Sequence, residues 1–478
     1  MLDMTKYATS EQFIVQLVDY VFSKKQFSPS TLKLASYCLM DSIACAIASL
    51  DEIDCARHMG PLVAGTVVPN GVPVFGTGAH LDPVKAAFDI SAMIRWMDFS
   101  DTTFAGGHPS DSIGAILASA DYRSRHNLSS GQDSLLMEDV FIAITQAYEI
   151  QGMVSVANKF DHPDIGIDHV IGVKIASTLL AVKLLGGTAE IAKAALSNMF
   201  MDGGTLNAYR HVPNAGPRKS WAGAEAASRG VWLAMAAIKG EPGYFSSLGE
   251  PVWGFEKVFL GGNPIKIPES LDSFVLDNII FKFYPCQRNV TTALECAIQL
   301  HPWLLDRIDS VRKINIVSQD EAIRRTDKRG PLLTRAARDH CMQYIVSIGL
   351  LHGRLTQDDY LDEIANDPWI DFLRDRMAVV ESPIYTKNHH DLSIRSCANA
   401  IQIELLDGTL SDLVEIEFPS GDPSKRDKVE AALLEKFHTS TQAHWDQTFR
   451  DATSMMLLDL KALQKTSVPD FMDSLQAH

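Results

Sequence analysis

The first half of the sequence is dominated by long apolar segments that have the spacing of α-helices. Most are rich in Ala, Leu, Met and Ile, with apolar residues three and four positions apart, as in helices that bury one face. Cys38 and Cys45 lie seven residues apart, hence on one face, and we expect buried thiols there. The predicted helices cover 13–22, 32–50, 84–97, 112–124, 135–150, 171–185, 189–201 and 222–239, with a loop at 63–82.

Strand signals begin near residue 265, after the helical half. Residues 311–318 alternate with the period of a β-strand. Residues 398–406 and 413–418 flank Asp407-Gly408, which favours a hairpin because Asp-Gly supplies the positive φ angles of a tight turn. Helical patterns return near the end of the chain, at 425–437, with Val429, Leu433 and Phe437 on one stripe, and at 443–463.

These segments predict a mainly α fold, with a large all-helical domain and a second, smaller α/β domain. A chain of 478 residues is about three times the usual single-domain size, which favours two domains. We expect the helical domain to be discontinuous, formed by 1–265 plus 425–478, and the α/β domain to cover 266–424.

The net charge and the cysteine pattern argue against a nucleic-acid-binding protein, a disulfide-stabilised protein and a protein with a structural zinc site. The formal net charge is −16, whereas a nucleic-acid binder normally carries a basic face. No stretch approaches the ~20 uninterrupted apolar residues of a membrane span, and no signal or transit peptide is evident, so we expect a cytoplasmic protein. The seven cysteines form no CxxC pair, which argues against a disulfide framework and a structural zinc site.

Two other patterns are weak signals for a cofactor or a metal. Phe75-Gly76-Thr77-Gly78 has two glycines but lacks the third of a dinucleotide-binding loop, so we interpret it as a loop. His389-His390 lies in a polar context, and adjacent histidines point apart in regular structure, so we expect a solvated loop there.

A polar cluster interrupts the helical pattern between residues 95 and 111. Asp98 and Asp101 follow an apolar helix, and His108 follows a glycine turn before the next helix begins. A histidine and carboxylates thus meet at a helix junction, where backbone N–H groups lack helical partners. The cluster is either a capped turn with a satisfied histidine or part of a reactive site.

Basic residues stand close together in a second segment, 209–221, although the protein as a whole is acidic. Its cationic side chains are Arg210, His211, Arg218 and Lys219. This loop is either a solvated surface or a site for an anion with several carboxylates. A third segment, 281–289, places Lys282 among aromatic residues, where it either snorkels to solvent or adds a cation across a cleft.

Acids, histidines, lysine and arginine without a metal signature suggest proton-transfer chemistry on a polycarboxylate. Removing a proton next to a carboxylate is difficult because negative charge accumulates on a group that is already anionic, so a positioned base and preorganised cations are needed. Loss of a β-hydroxyl also needs an acid, and histidine serves either role near neutral pH. The residues by themselves lead no further than this class of reaction.

At these residues the sequence resembles the MmgE/PrpD family, in particular its branch that dehydrates 2-methylcitrate. The matching segments are 36–41, 65–71, 81–83, 92–102, 107–111, 209–211, 218–221 and 338–344. The resemblance covers nearly the whole chain. It implies a large helical domain with a C-terminal return, a smaller α/β domain, a homodimer, and dehydration of 2-methylcitrate to 2-methyl-cis-aconitate without an iron–sulfur cluster. No cofactor and no metal are therefore expected.

The resemblance also implies roles for individual residues. The catalytic residues that match are Asp98, His108, His169 and Lys219, of which His169 is the looser match. Thr102 lies in the segment that matches the family's first catalytic segment, and Lys282 and Tyr344 match pocket residues. The residues expected to bind substrate are Thr102, Arg210, Lys282, Asn289 and Tyr344. We expect His108 to act as acid or base, oriented by Asp98, with His169 as a possible second proton carrier, while Lys219, Arg210 and Lys282 neutralise the carboxylates and the developing charge.

Two departures from the family pattern leave the substrate open. Asn289 stands where the dehydratases tend to carry a histidine, and asparagine binds but cannot shuttle a proton. The loop from Asp101 to His108 is also shorter than is usual for that branch. A longer 2-alkylcitrate is therefore an alternative substrate. Two alternative functions are a cis-aconitate-type decarboxylase, as in a sister branch, and an inactive paralogue that binds tricarboxylates.

Overall fold

The computed structural model describes residues 4–23, 25–202, 204–211, 216–244 and 246–476. Long helices form the N-terminal region and pack around one core. They are α1 (Met4–Phe22), α2 (Pro29–Ala48), α3 (Pro83–Arg95), α4 (Ile113–Ser129), α5 (Met137–Asn158), α6 (Val170–Leu184), α7 (Ala189–Met201) and α8 (Arg218–Ile238). Each helix predicted from apolar spacing in this region is present. Cys38 and Cys45 are both buried, as predicted.

Helices α6 and α8 cross closely at the centre of this region. A Cβ atom at Gly230 of α8 would lie 2.8 Å from the Cβ of Ser177 in α6, so only glycine permits this approach. Because α6 follows His169 and α8 carries Lys219 in its first turn, this packing brings two of the predicted site segments to the same side of the helical layer.

The smaller region combines a four-stranded sheet with helices. Its strands are β3 (Val311–Ser318), β4 (Met377–Glu381), β5 (Asn399–Leu405) and β6 (Val414–Ile416), in the order β4-β3-β5-β6. Strand β3 is parallel to β4 and antiparallel to β5. Helices α9 (Thr291–Leu304) and α10 (Met342–His352) share a separate hydrophobic core with this sheet.

The chain returns to the helical region after the sheet. Helices α11 (Val429–Thr441) and α12 (Gln447–Leu458) follow a short 3₁₀ segment. Val429, Leu433 and Phe437 are buried in the same hydrophobic cluster as the N-terminal helices. The predicted fold class, mainly α with a smaller α/β part, is confirmed. The exact domain boundaries at 265 and 425 stay a prediction. Val275 and Phe281 still belong to the helical cluster, whereas the cluster of the α/β region begins at Cys286.

Shorter elements connect these helices and strands. The short helices cover Ile53–Ala56, Phe255–Phe259, Phe274–Asp277, Asp320–Thr326, Arg335–Arg338, Asp362–Ala365, Pro368–Arg374, Pro383–His390, Leu460–Leu463 and Val468–Ser474. The segment predicted as a plain loop at 63–82 also contains a small hairpin of β1 (Val72–Val74) and β2 (Ala79–Leu81). The motif 75–78 lies in the turn of this hairpin, with positive φ at Gly76 and Gly78.

The predicted hairpin at 398–418 forms, with β5 antiparallel to β6. Its connection differs from the prediction, however. Of the pair Asp407-Gly408 only Gly408 has a positive φ, 86°, and a further bridge joins Glu404 to Leu410. The strands are therefore joined by a longer loop than the two-residue turn that Asp-Gly suggested.

Two helical stretches, Pro29–Asp51 and Met137–Asn158, are long and apolar enough to span a membrane by length and composition alone. However, 83% and 72% of their most apolar windows, respectively, are buried inside the protein. This burial is typical of helices at the centre of a folded core.

Candidate active site

A small cavity lies where the helical and α/β regions meet, and both regions form its walls. Its volume is about 70 Å³, and its lining consists of charged side chains, polar side chains and glycines. The lining residues are Arg95, Asp98, Thr102, Gly106, Gly107, His108, Asp161, His169, Arg210, Gln287, Arg288, Asn289, Glu321, Arg325 and His340. The fold thus brings together the predicted residues Asp98, Thr102, His108, His169, Arg210 and Asn289. Residues 212–215 of the basic segment lie outside the described residues.

Asp98 reaches the cavity because of a sharp turn at the end of α3. Asp98 adopts a left-handed backbone conformation with a φ of 50°, which turns the chain after Arg95 and Trp96. Four residues on, Thr102 and Ile280 exchange two backbone hydrogen bonds of 2.9 and 3.0 Å. This bridge joins the first polar cluster to the third.

The carboxylate of Asp98 is the centre of the site. Its Oδ1 lies 2.9 Å from Lys282 Nζ, 3.1 Å from Arg95 Nη1 and 3.2 Å from His108 Nε2, while its Oδ2 lies 3.3 Å from Lys219 Nζ. Lys282 also donates to the Asp98 carbonyl. Burial alone would raise the pKa of Asp98, but Arg95, Lys282 and Lys219 hold it well below its ordinary value. Asp98 therefore stays ionised.

His108 is held with one ring nitrogen available for proton transfer. Its Nδ1 lies 2.8 Å from the carbonyl oxygen of Asp101, and because a carbonyl only accepts, this nitrogen carries the proton. Burial, together with Arg95, lowers the pKa of His108 well below 6.5, so the ring is neutral and Nε2 is its basic atom. The expected contact with Asp98 is made through Nε2, which lies 3.2 Å from Oδ1. Because neither atom carries a hydrogen while the ring is neutral, this contact becomes a hydrogen bond only when His108 takes up a proton, which Asp98 favours.

Three histidines of the cavity are expected to remain neutral at neutral pH. Burial lowers the pKa of His108, and it lowers those of His169 and His340 to about 4. We expect the NMR Cε1–H resonances of these rings, assigned with single His→Gln variants, to show no titration between pH 6 and 8. The unfolded chain in urea, where histidine titrates near ~6.5, is the comparison.

The same shifts affect stability. Below pH ~6.5 these histidines bind protons in the unfolded state but stay neutral in the folded state. Their contribution to the free energy of unfolding therefore falls as the pH drops from 6.5 towards 4. A titration midpoint near 6.5 in the folded protein would contradict the assignment of neutral rings.

His169 and Arg210 form a second pair of groups on the wall of the cavity. Arg210 binds the buried Asp168 through two nitrogens, Nε and Nη2, the latter at 3.1 Å from Oδ1. Arg210 Nη2 also lies 3.5 Å from His169 Nε2. Burial would raise the pKa of Asp168, but Arg210 holds it far below its ordinary value. The charge of Arg210 is therefore already neutralised within the protein.

Gly107 allows the His169 ring to approach the loop that carries His108. Its φ is 79°, and a Cβ there would lie 2.9 Å from His169 Cδ2. Gly106 has a similar φ of 81°, but a Cβ there meets nothing within 4 Å. The two glycines therefore provide a matched pair, with equal backbone strain and different contacts.

We expect Gly107→Ala to lower turnover at least about tenfold by displacing His169, whereas Gly106→Ala changes it little. Both variants should lose about 1–2 kcal/mol of unfolding free energy from the left-handed conformation. Steady-state kinetics and urea denaturation measure the two effects. Equal turnover in the two variants would show that the His169 contact does not matter.

Lys219 is buried at 3% exposure and joins two acids at the back of the cavity. Its Nζ lies 2.6 Å from Asp339 Oδ2 and 3.1 Å from His340 Nδ1, in addition to the contact with Asp98. Sequence reasoning did not single out Asp339 and His340, although the segment 338–344 that contains them belongs to the resemblance.

One group among the described residues has the geometry of a possible metal site. One ligand atom each from Asp98, Asp339 and His340 lies within 4.8 Å of the others. The ammonium of Lys219 contacts all three residues, so a cation already occupies this place. The expectation that the site needs no metal stays a prediction.

Tyr344 was predicted to bind substrate, but the structure places it away from the cavity. Its hydroxyl donates to the carbonyl of Asp359, and its ring stacks on Tyr360 with centroids 6.0 Å apart. Tyr344 belongs to the core of the α/β region and does not line the cavity, so the structure does not bring it together with the other predicted site residues, and its contact with substrate stays a prediction. Helix α10 turns Tyr344 towards the sheet, while His340, just before the helix, reaches the cavity.

The histidine pair expected in a solvated loop lies instead in the helix Pro383–His390. His389 is nearly buried, with Nε2 3.1 Å from Glu321 Oε2 and Nδ1 2.8 Å from the carbonyl of Ser396. His390 is exposed and faces Asp320. The interpretation is therefore wrong for His389, because tertiary contacts with a cavity residue bury it.

The sequence matches the models of two protein domains in order along the chain. Residues 15–268 match the MmgE/PrpD N-terminal domain, and residues 284–460 match the MmgE/PrpD C-terminal domain. Together these matches cover most of the chain.

Curated relatives match over nearly the full length. The chain is 42% identical to a 2-methylcitrate dehydratase of Cupriavidus necator, over 97% of this chain and 96% of that protein. It is 41% identical to a 2-methylcitrate dehydratase of Escherichia coli K12, over 96% of each. It is also 41% identical to a mitochondrial 2-methylcitrate dehydratase of Yarrowia lipolytica, over 90% of this chain and 83% of that protein. The cytoplasmic location expected here stays a prediction.

The full-length relatives show that this protein is an enzyme, a lyase of the hydro-lyase class. The chain belongs to the MmgE/PrpD family.

Proposed function

We propose that this protein dehydrates 2-methylcitrate or a longer 2-alkylcitrate to the corresponding 2-alkyl-cis-aconitate, by acid/base catalysis without a metal. The observation that carries the proposal is the sharing of one carboxylate, Asp98, by the neutral His108 and the buried cation Lys219. This arrangement combines a base with preorganised positive charge, which elimination next to a carboxylate requires. The names of the full-length relatives support the substrate.

In the proposed reaction, Nε2 of His108 removes the proton next to a substrate carboxylate. The adjacent C–O bond breaks and a C=C bond forms. The hydroxyl leaves as water with the proton that His108 has taken up, which the neutral ring of His169 accepts and passes on as the second carrier. Lys219 and Lys282 stabilise the charge that develops on the carboxylate. Overall, one C–H and one C–O bond are replaced by a C=C bond and a water molecule.

Substrate binding requires the cavity to widen. A volume of about 70 Å³ is far below the ~300–1,000 Å³ of typical ligand pockets. The salt bridge between Arg325 and Asp161, 2.7 Å long, joins the two regions at this cavity, and its opening would separate the walls. The polar lining suits carboxylates and favours a short alkyl substituent over a long one.

Mass spectrometry of the purified protein with a panel of acids tests the proposal. The panel contains citrate, 2-methylcitrate, 2-alkylcitrates of increasing chain length and cis-aconitate, with a chelator present throughout. We expect loss of water from 2-methylcitrate, with no effect of the chelator and a rate that falls as the chain lengthens. Release of carbon dioxide from cis-aconitate would indicate the decarboxylase instead.

A homodimer, checked by light scattering, is also proposed.

The inactive paralogue predicts a different result. Tricarboxylates would then bind tightly without turnover, and Asn289→His would restore some activity. Asn289 is 1% exposed and lines the cavity, so its replacement tests this alternative directly. Turnover by the unmodified protein would rule it out.

A further inference from the structure

Four arginines line the cavity, and three of them are already paired with acids. Arg95 lies 3.1 Å from Asp98, Arg210 binds Asp168 and Arg325 lies 2.7 Å from both Asp161 and Glu321. The fourth, Arg288, has no carboxylate within 4.0 Å among the residues that the structure describes. The lysines behind the cavity, Lys219 and Lys282, are likewise bound to acids.

Arg288 is nevertheless buried, with 9% of its surface exposed. It stands in a short 3₁₀ turn just before α9, which fixes its backbone at the wall of the cavity. Its Nη1 donates to the Sγ of Cys397 at 3.4 Å, and this is its one side-chain hydrogen bond within the described part of the chain. The rest of the guanidinium is free to bind a ligand in the cavity that it lines.

A buried guanidinium without a carboxylate in contact is costly, because the more distant Glu321 offsets the desolvation of its charge only in part. Each of the other arginines that line the cavity, and both lysines behind it, contacts a carboxylate of the protein. Arg288 does not, so an anionic ligand can bind it. Arginine presents parallel N–H donors in the fork geometry that matches a carboxylate. A polycarboxylate bound in the cavity would supply the missing partner.

We propose that Arg288 binds one carboxylate of the substrate and makes the site selective for tricarboxylates over dicarboxylates. This inference rests on the proposed function. Cys397 holds one nitrogen of the guanidinium, and His389, anchored on Glu321, lies beside Cys397 and supports this placement. Arg288 is thereby a specificity residue contributed by the α/β region to a cavity that His108 and His169 of the helical region also line.

Another function for Arg288 is to neutralise a thiolate at Cys397. Burial would raise the pKa of this thiol, but Arg288 and His389 lower it overall. In that case removal of the arginine would disturb the local structure around Cys397. The affinities for all carboxylate ligands would then change together, and not only the affinity for a ligand with one particular carboxylate. The two roles therefore differ in how the effect depends on the ligand.

Calorimetric binding of three unreactive acids to the full chain separates these roles. Tricarballylate carries three carboxylates, whereas glutarate lacks its central one and methylsuccinate lacks a terminal one. We expect Arg288→Gln to weaken tricarballylate binding about 100-fold, as for loss of a buried charge pair. One of the two dicarboxylates lacks the carboxylate that Arg288 binds. For that dicarboxylate we expect the Arg288→Gln variant and the unmodified protein to have the same affinity. Arg288→Lys, which keeps the charge, should weaken tricarballylate about tenfold.

The matched control is Arg376→Gln in the same region. Arg376 binds the backbone carbonyls of Val311 and Phe372 and does not line the cavity, so we expect unchanged affinity for all three acids. Equal weakening of all three acids by Arg288→Gln, or no weakening, would overturn the inference. If the unmodified protein turns over 2-methylcitrate while both Arg288 variants bind tricarballylate normally, only this inference fails. If the unmodified protein neither binds nor converts any tricarboxylate, the proposed function itself fails.

Discussion

Replacing His108 with glutamine is expected to lower kcat by about 10³-fold while leaving the protein folded. Nε2 is the basic atom of the neutral ring, which lines the cavity, and removal of a general base typically costs about 10²- to 10⁴-fold. The side chain lies in a loop between helices, and its Nδ1 makes one hydrogen bond to the Asp101 carbonyl, so glutamine has little effect on packing.

Steady-state kinetics with 2-methylcitrate measure the effect, and circular dichroism checks the fold. His126→Gln is the matched control, because His126 is exposed on α4. We expect the control to keep full activity. Near-normal turnover in the His108 variant would show that another group removes the proton.

Replacing Asp98 with asparagine should have the largest effect on stability. Asp98 contacts the buried cations Arg95, Lys219 and Lys282. Without its charge Lys282 loses its carboxylate partner, Arg95 keeps only Asp111 at 3.9 Å, and Lys219 keeps only Asp339. Breaking a buried pair from one side typically costs about 3–5 kcal/mol of unfolding free energy. Asparagine tolerates the left-handed backbone at this position, so the cost arises from charge and not from strain.

Urea denaturation at pH 7 measures this loss, with Asp202→Asn as the control. Asp202 pairs with Arg229 in a partly exposed salt bridge, for which we expect at most about 1 kcal/mol. Since its cationic neighbours hold the pKa of Asp98 low, its contribution is complete above pH ~4 and disappears only as the pH falls further. A loss below 1 kcal/mol for Asp98→Asn would contradict the central position of this carboxylate.

The helical elements could be predicted because their signal is local. Apolar spacing predicted α2 and α6, and alternation predicted β3 with the same bounds as in the structure. The grouping of Asp98 and His108 was also visible, because ten residues around one glycine turn separate them. The position of Tyr344 could not be predicted in the same way. His340, just before α10, lines the cavity, whereas Tyr344, four residues later in the first turn of α10, packs in the core.

The sequence alone determined the long N-terminal helices, β3 and the hairpin of β5 and β6, together with the residue types that can carry proton transfer, because each of these depends on near neighbours. The tertiary structure decided which of the described cavity arginines contact a carboxylate and that Arg288 does not. Lys219 meets Asp339 across 120 residues, and Lys282 meets Asp98 across 184. Charge pairing depends on distances between side chains from remote segments, and these distances exist only once the two regions have packed together.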